Sequence, residues 1–389
     1  MASKAELNPT PARRLEAVRT SAPSTVATCI PWREMEGEVE AWDALATEAA
    51  EPNPFFESWY LLPALHAFDP QGDVRLIYLE ANGRLAGLLP ILHRPRYYRQ
   101  PIPNLSAWLH DNCFLGAPLV ARGMEAAFWQ ALLAWADGNA RTALFLHLRQ
   151  MPLEGALFDA LKAALSEQSR GAALVHREER AMLASKLGPD AYLEAAMSGK
   201  KRKELRRQFA RLSETGEVRV EHREDAVGLA PWIEQFLELE SAGWKGKAGS
   251  ALACSPQTAA LFRDSLRGAA ERGRLERLTL WFDKKPIAML ATFLTPPGAY
   301  SFKTTFDEGY SRFSPGVLLQ RENLAMLEHP DIAWSDSCAA ADHPMIDHIW
   351  RERRAIGSVS IAIGGSLRRA AFGALARAEI TRNPAGCLL

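Results

Sequence analysis

The 389-residue chain has no excess of either charge, since 46 Lys and Arg balance 46 Asp and Glu. A protein that grips nucleic acid over its whole surface is basic, so general DNA binding is excluded. Paired cysteines are missing as well. Cys29, Cys113, Cys254, Cys338 and Cys387 lie far apart, with no CxxC pair to build a zinc ribbon or a thioredoxin-like site. Their odd number suits a reduced, cytoplasmic setting. The histidines show no metal-ligand spacing, so no metal is expected. No apolar run approaches the roughly 18 residues that span a bilayer. Residues 1–25 are rich in Ala, Ser, Thr, Pro and Arg but lack an apolar core, which predicts a flexible leader rather than a secretory signal.

Apolar material is plentiful, at 48% of residues, enough for two cores. A weak internal echo points the same way. Residues 74–92 and 277–294 each read as strand, polar turn, strand, with Asn82-Gly83 in one turn and Asp283-Lys284-Lys285-Pro286 in the other. Helical spacing surrounds both hairpins, at 36–50, 55–67, 124–137, 153–168, 257–272 and 316–328. A last helix at 366–380 is expected to pack through Leu367, Phe372, Leu375 and Ile380. Strands are expected at 299–305, 332–335 and 358–363. Interleaved strands and helices predict an α/β (α+β) class. The expected divisions are 1–25, 26–185, 186–365 and a terminal helix and tail at 366–389.

Chemistry concentrates in residues 303–319. A strand leaves through a polar turn and Ser314-Pro315-Gly316 opens a helix, with Ser314 suited to the cap and Pro315 to the first turn. Gly316 would let a ligand approach the backbone, and free N–H groups there favour a phosphate, with Arg312 adding a cation. A plain Ser-Pro helix start is the alternative. Asp307 and Glu308 just before it fit either a solvated turn or a base for an acceptor amine. Gly243-Trp244-Lys245-Gly246 fits a helix end packed on the core, or a loop with Trp244 as a wall and Lys245 as an anion contact. The run 200–211 carries seven cations against Glu204. It fits a solvated helix face, or contact with cofactor phosphates or an anionic surface. Interleaved aromatics that would stack bases are missing from it, which counts against RNA. In the first half, Glu125 at a helix start would repel a phosphate, so that half reads as structural or as an acceptor wall. Asp336, Ser337, Cys338, Asp342 and His343 cluster after a strand. Asp336 fits a general base or a loop-holding hydrogen-bond acceptor, and a Cys338 nucleophile with His343 as base is the less favoured arrangement.

The stretch FDEGYSRFSPGVLL at 306–319 resembles the pyrophosphate loop of the GNAT acyltransferase superfamily. More closely it resembles the CelD-type subfamily labelled for cellulose biosynthesis, distantly similar to Fem-type aminoacyl transferases. LESAGWKGKAGSAL at 239–252, SGKKRKELRRQFARL at 198–212 and WSDSCAAADHPMIDHIWRERR at 334–354 extend the likeness. The resemblance covers residues 195–362 well and 30–150 as a degenerate copy. It implies two tandem GNAT-like units and acyl transfer from acyl-CoA to an amine or hydroxyl of a small-molecule or saccharide acceptor, in polysaccharide or envelope metabolism. Fem-like aminoacyl transfer and a non-catalytic surface-binding module are the alternatives. The resemblance places Arg312, Ser314, Pro315, Gly316, Val317 and Leu318 on the cofactor, while the reading of the residues puts Trp244, Lys245 and Lys303 on the substrate and makes Asp336, Asp307 and Glu308 candidate bases. Pro315 and Val317 depart from the superfamily's Arg-x-x-Gly-x-Gly/Ala, and proline removes one N–H donor. Attack by the amine is expected to be direct.

Overall fold

A computed structural model describes residues 25–343, 345–383 and 385–389. The expected leader lies outside the described residues, apart from Thr25. The first unit runs β1 (Ala27–Pro31), α1 (Val39–Glu48), α2 (Ser58–Phe68), β2 (Arg75–Ala81), β3 (Arg84–Arg94), β4 (Asn104–Ala107), β5 (Leu119–Val120), α3 (Glu125–Asn139), β6 (Phe145–Pro152), α4 (Ala156–Glu167) and β7 (Ala172–Leu183). α5 (Pro189–Ala196) and α6 (Gly199–Ser213) lead into the second. That unit runs β8 (Val218–Arg223), α7 (Leu229–Ala242), α8 (Trp244–Lys247), α9 (Pro256–Glu271), β9 (Leu275–Phe282), β10 (Lys285–Thr295), β11 (Gly298–Phe306), α10 (Pro315–Glu322), β12 (Trp334–Asp336) and β13 (Glu352–Ala362). α11 (Ser366–Arg382) and β14 (Cys387–Leu388) close the chain.

The class is mixed α/β, built from two units with a like order of strands. All strands join one sheet, whose main order is β1-β2-β3-β4-β6-β13-β7-β12-β11-β10-β9-β8. In the first unit β1 to β4 pair antiparallel and β4 pairs β6 in parallel. The second unit repeats this pattern from β8 to β12, with β11 and β12 parallel. Even an irregularity recurs: each hairpin carries a one-residue bulge just past its turn, at Ala86 in β3 and Ile287 in β10. Each bulge falls in a like dipeptide, Leu85-Ala86 in one hairpin and Ile287-Ala288 in the other.

Neither unit completes its sheet alone. β13, from the chain's end, lies between β6 and β7, and β7 lies between β13 and β12. The core is shared too. Phe55 and Phe114 of the first unit pack ring to ring with Phe293 and Phe302 of the second. Aromatic faces and edges pair favourably beyond the area they bury, so this cluster fixes one unit against the other. α11 packs through Phe372 and Ala376, whereas Leu367 is 88% exposed and takes no part in that face.

Candidate functional site

The loop from β11 to α10 is ordered by its own carboxylates. Asp307 accepts from the Gly309 N–H at 2.8 Å and holds Lys285 at 2.6 Å, while Glu308 accepts from the Trp244 N–H at 2.5 Å and holds Lys247 at 3.1 Å. These partners pull both carboxyls below the usual range even though burial of Asp307 works the other way. Each is thus a weak base at neutral pH and acts as a tie, Glu308 fastening α8 to the loop. Gly246 lets that helix turn: a Cβ there would stand 1.8 Å from the Ser241 carbonyl oxygen.

At the start of α10 the expected cradle is largely filled. Ser314 is left-handed, with φ 54°, and its side chain makes no capping bond. Its carbonyl accepts from the Val317 and Leu318 N–H groups instead, at 2.9 and 3.0 Å. Pro315 has no N–H to offer. Gly316 and Leu318 are buried, and a Cβ on Gly316 would meet Met345 Sδ at 2.8 Å and the Phe306 ring at 3.2 Å. The close approach that glycine allows is used by the protein's own side chains. Arg312 is exposed and stacks over Phe313.

Beside this loop the sheet opens. β12 pairs β11 only from Gly298 to Tyr300, and from Ser301 onward β11 has no strand on that side among the described residues. A second bulge, at Phe302, falls at this point. The opening leads to a cavity of about 340 Å³ bounded by Glu240, Trp244, Lys245, Thr304, His343 and Met345. Where the first unit has α4, the second has the loop 337–351, which brings His343 and Met345 over the cavity. Trp244 is 57% exposed and forms a wall. Lys245 is held by Glu240 at 2.8 Å and the Thr304 carbonyl at 3.2 Å, and Glu240 also accepts from the Leu252 N–H.

Two groups in this region keep unused capacity. The Nδ1 of His343 is buried without a partner among the described residues, and burial lowers the ring's pKa from its ordinary value, so the imidazole is neutral. Lys303 makes no hydrogen bond or ion pair among the described residues. Its ammonium lies over the Phe114 ring at 4.9 Å and the Phe302 ring at 5.5 Å. Burial, and then Lys245, pull its pKa down to about 8. A desolvated amine with a neighbouring cation is a group poised for chemistry.

Asp336 sits elsewhere in this arrangement. It is fully buried and both carboxylate oxygens are engaged: Oδ1 with the Cys338 N–H at 2.8 Å and Arg180 at 3.7 Å, Oδ2 with Arg354 at 3.2 Å. Arg354 continues to Glu51 and the Tyr300 hydroxyl, and Arg180 to Glu178, Gln150 and the Phe114 carbonyl. The charged network lies at the strand exchange and binds β7, β12 and β13 together. Cys338 is buried beside it, and burial raises its thiol pKa well above the ordinary value, so no thiolate nucleophile forms. The sequence placed His343 in this cluster only as a partner for that thiol. Its independent position over the cavity depends on a loop with no periodicity to read.

Residues 199–343 match the family described as "Acetyltransferase (GNAT) domain". A comparison with curated proteins finds no match. Among solved structures, FemX is 11% identical with a TM-score of 0.53, covering 87% of this chain and 98% of its own. The C-terminal domain (DUF2156) of an Agrobacterium fabrum protein assigned as a lysylphosphatidylglycerol synthetase is 14% identical, with a TM-score of 0.52, covering 89% and 95%. L-PGS from Bacillus licheniformis is 13% identical, with a TM-score of 0.50, covering 87% and 96%. These likenesses show a shared fold. Among the described residues no group of side chains is arranged to hold a metal, and no helix is long and apolar enough to cross a membrane.

Proposed function

We propose that this chain is a transferase that moves an acyl group from an activated carrier to the amine of a small-molecule or saccharide acceptor, with the new bond formed in the cavity beside His343. The observation that carries this reading is a neutral imidazole, its Nδ1 without a partner among the described residues, over the cavity where β11 and β12 part, with Lys245 of that cavity close enough to both His343 and the desolvated Lys303 to lower their pKa values. The acceptor nitrogen attacks the donor carbonyl, and the C–N bond forms as the carbonyl electrons move to oxygen. His343 Nδ1 takes the proton from the nitrogen and returns it to the leaving sulfur or oxygen as that bond breaks. Lys303 opposes the charge on the oxyanion, helped by the open edge of β11 beyond its bulge. Asp307, Glu308 and Asp336 act as ties rather than bases. Trp244 and Lys245 bound the acceptor's space.

The match of residues 199–343 to a GNAT domain favours acyl-CoA as donor. One observation favours the Fem-like alternative, an aminoacyl-tRNA donor. The phosphate cradle at Gly316 is covered, while Lys200, Lys201, Lys203, Arg206 and Arg211 on α6 are exposed and make no ion pair among the described residues. α6 packs against the loop 308–313 that leads to this cradle. The five free cysteines accord with a cytoplasmic setting for either donor. Calorimetry with acetyl-CoA, longer acyl-CoAs and charged tRNA separates the readings. Saturable acyl-CoA binding that Gly316→Glu abolishes supports the first. Binding of tRNA alone, weakened by Lys201→Glu with Arg202→Glu and by added salt, supports the second. No binding of any donor overturns both in favour of a non-catalytic module.

A further inference from the structure

The first unit contains a larger cavity that this chemistry does not use. Its volume is about 550 Å³, and it lies over one face of β4 and β6, bounded also by the end of β3 and by β7 and β13. On β6, Phe145, His147 and Arg149 alternate onto this face. α11 covers Phe145 through Phe372, with ring centres 5.7 Å apart, and the cavity begins at His147. A sheet face left uncovered is expected to be polar, but this one is one-sided in charge. Arg94, Arg96 and Arg149 line it, and none has a carboxylate within ion-pair distance among the described residues. The Arg94 Nε is buried and has no partner among the described residues. The nearby acids are taken: Glu178 is held by Arg180 at 3.1 Å and stands 3.7 Å from His176, and Glu379 accepts from the Tyr97 hydroxyl at 2.7 Å.

The cations also disfavour one another. Burial and then Arg149 lower the pKa of Arg94, and burial with both arginines brings His147 down to about 3. Backbone strain gathers at the same place, since Gln150 and Tyr98 both have positive φ, at 53° and 50°. Strained residues and unpaired, mutually repelling cations persist where something repays them, and binding sites are where they collect. We propose that this cavity binds a phosphorylated small molecule, its phosphoryl group held by the Arg94 and Arg149 guanidiniums and its organic part set against Tyr98. A dianion neutralises both cations at once, and the planar forks of two arginines match phosphate oxygens. The volume exceeds that of a phosphate several-fold, leaving space for the rest of the ligand. Tyr98 is 72% exposed at the rim, with its ring free on the outer side. No lining carboxylate is free to act as a base, which makes this a binding site separate from the acyl-transfer cavity.

Calorimetry at fixed ionic strength with inorganic pyrophosphate as probe, and acetate as control, tests the proposal on the full chain. Pyrophosphate should bind with one site per chain, more tightly than acetate, and raise the melting midpoint. Arg94→Met and Arg149→Met should each weaken it at least tenfold, while melting no lower than the parent without ligand, because each removes a repulsion. Acyl-donor affinity, measured in parallel, should be unchanged in both, so failure of the transferase reading leaves this one standing. Equal pyrophosphate affinity in the variants, or pyrophosphate binding no better than acetate, overturns the proposal. Variants that melt well below the parent without ligand also overturn it, by showing that the arginines serve the fold. Loss of donor binding in either variant overturns the separateness of the two sites.

Discussion

Replacing Lys303 by Met should make the protein more stable and less active. The ammonium has an ordinary pKa of 10.5 and is held at about 8 in the fold, chiefly by burial and then by Lys245. At about 1.4 kcal/mol per tenfold, that gap is a cost of about 3 kcal/mol for keeping the charge at neutral pH. Between about pH 8 and 10.5 the unfolded chain holds this proton and the folded chain does not, so stability rises with pH across that window. Below it the cost is paid in full. Methionine keeps the apolar stem against Phe114 and Phe302 but gives up the attraction between ammonium and rings, about 1 kcal/mol. A net gain of about 2 kcal/mol at pH 7 is expected, shrinking to nothing near pH 10.5. Urea unfolding of parent and variant at both pH values reads it directly, and acyl transfer should fall by about 100-fold with the oxyanion's partner gone. A variant less stable at pH 7, or a gain equal at both pH values, would refute the claim that desolvation of the Lys303 ammonium outweighs the nearby acids.

Three other expectations use the same measurements. Asp336→Asn should cost about 3 kcal/mol, because Arg180 and Arg354 lose a fully buried partner while Glu178 and Glu51 remain; an unchanged urea midpoint with transfer abolished would return Asp336 to the role of base. His343→Gln should lower the transfer rate by about 100-fold at neutral pH with donor affinity intact, and the parent's rate should fall as pH drops through the lowered imidazole pKa; full activity in this variant would remove the imidazole from proton transfer. Gly246→Ala should break the close approach to Ser241 and displace α8 with Trp244, raising the acceptor KM more than it changes kcat; unaltered kinetics would separate α8 from the acceptor.

What the sequence showed and hid follows one physical line. The hairpins were legible because Asn82 and Gly83 both take positive φ and the flanking strands are apolar. Helices with clean spacing, such as that around Phe128 and Leu132, were legible for the same reason. The middle of the sheet was not. His176-Arg177-Glu178-Glu179-Arg180 in β7 and Glu352-Arg353-Arg354 in β13 carry no apolar alternation that marks a strand, yet they run through the exchanged strands, where Arg180 and Arg354 turn inward to pair with acids far away in sequence. Partners at such separation leave no local pattern. The same holds for the site. Ser314-Pro315-Gly316 looked like a phosphate cradle because its local chemistry is right, and only the fold brings Met345 across it.

The exchange of β7 and β13 also dictates the order in which the molecule can be completed. During synthesis the first unit leaves the ribosome with β6 and β7 separated by an empty strand position, and that gap stays open until β13 arrives. A nascent or truncated chain ending before Glu352 carries raw strand edges on both β6 and β7, the kind of edge that pairs with other chains. Cutting the linker between the units should therefore yield two fragments that persist only in each other's company, and a stop codon just before Glu352 should harm the first unit as much as the second.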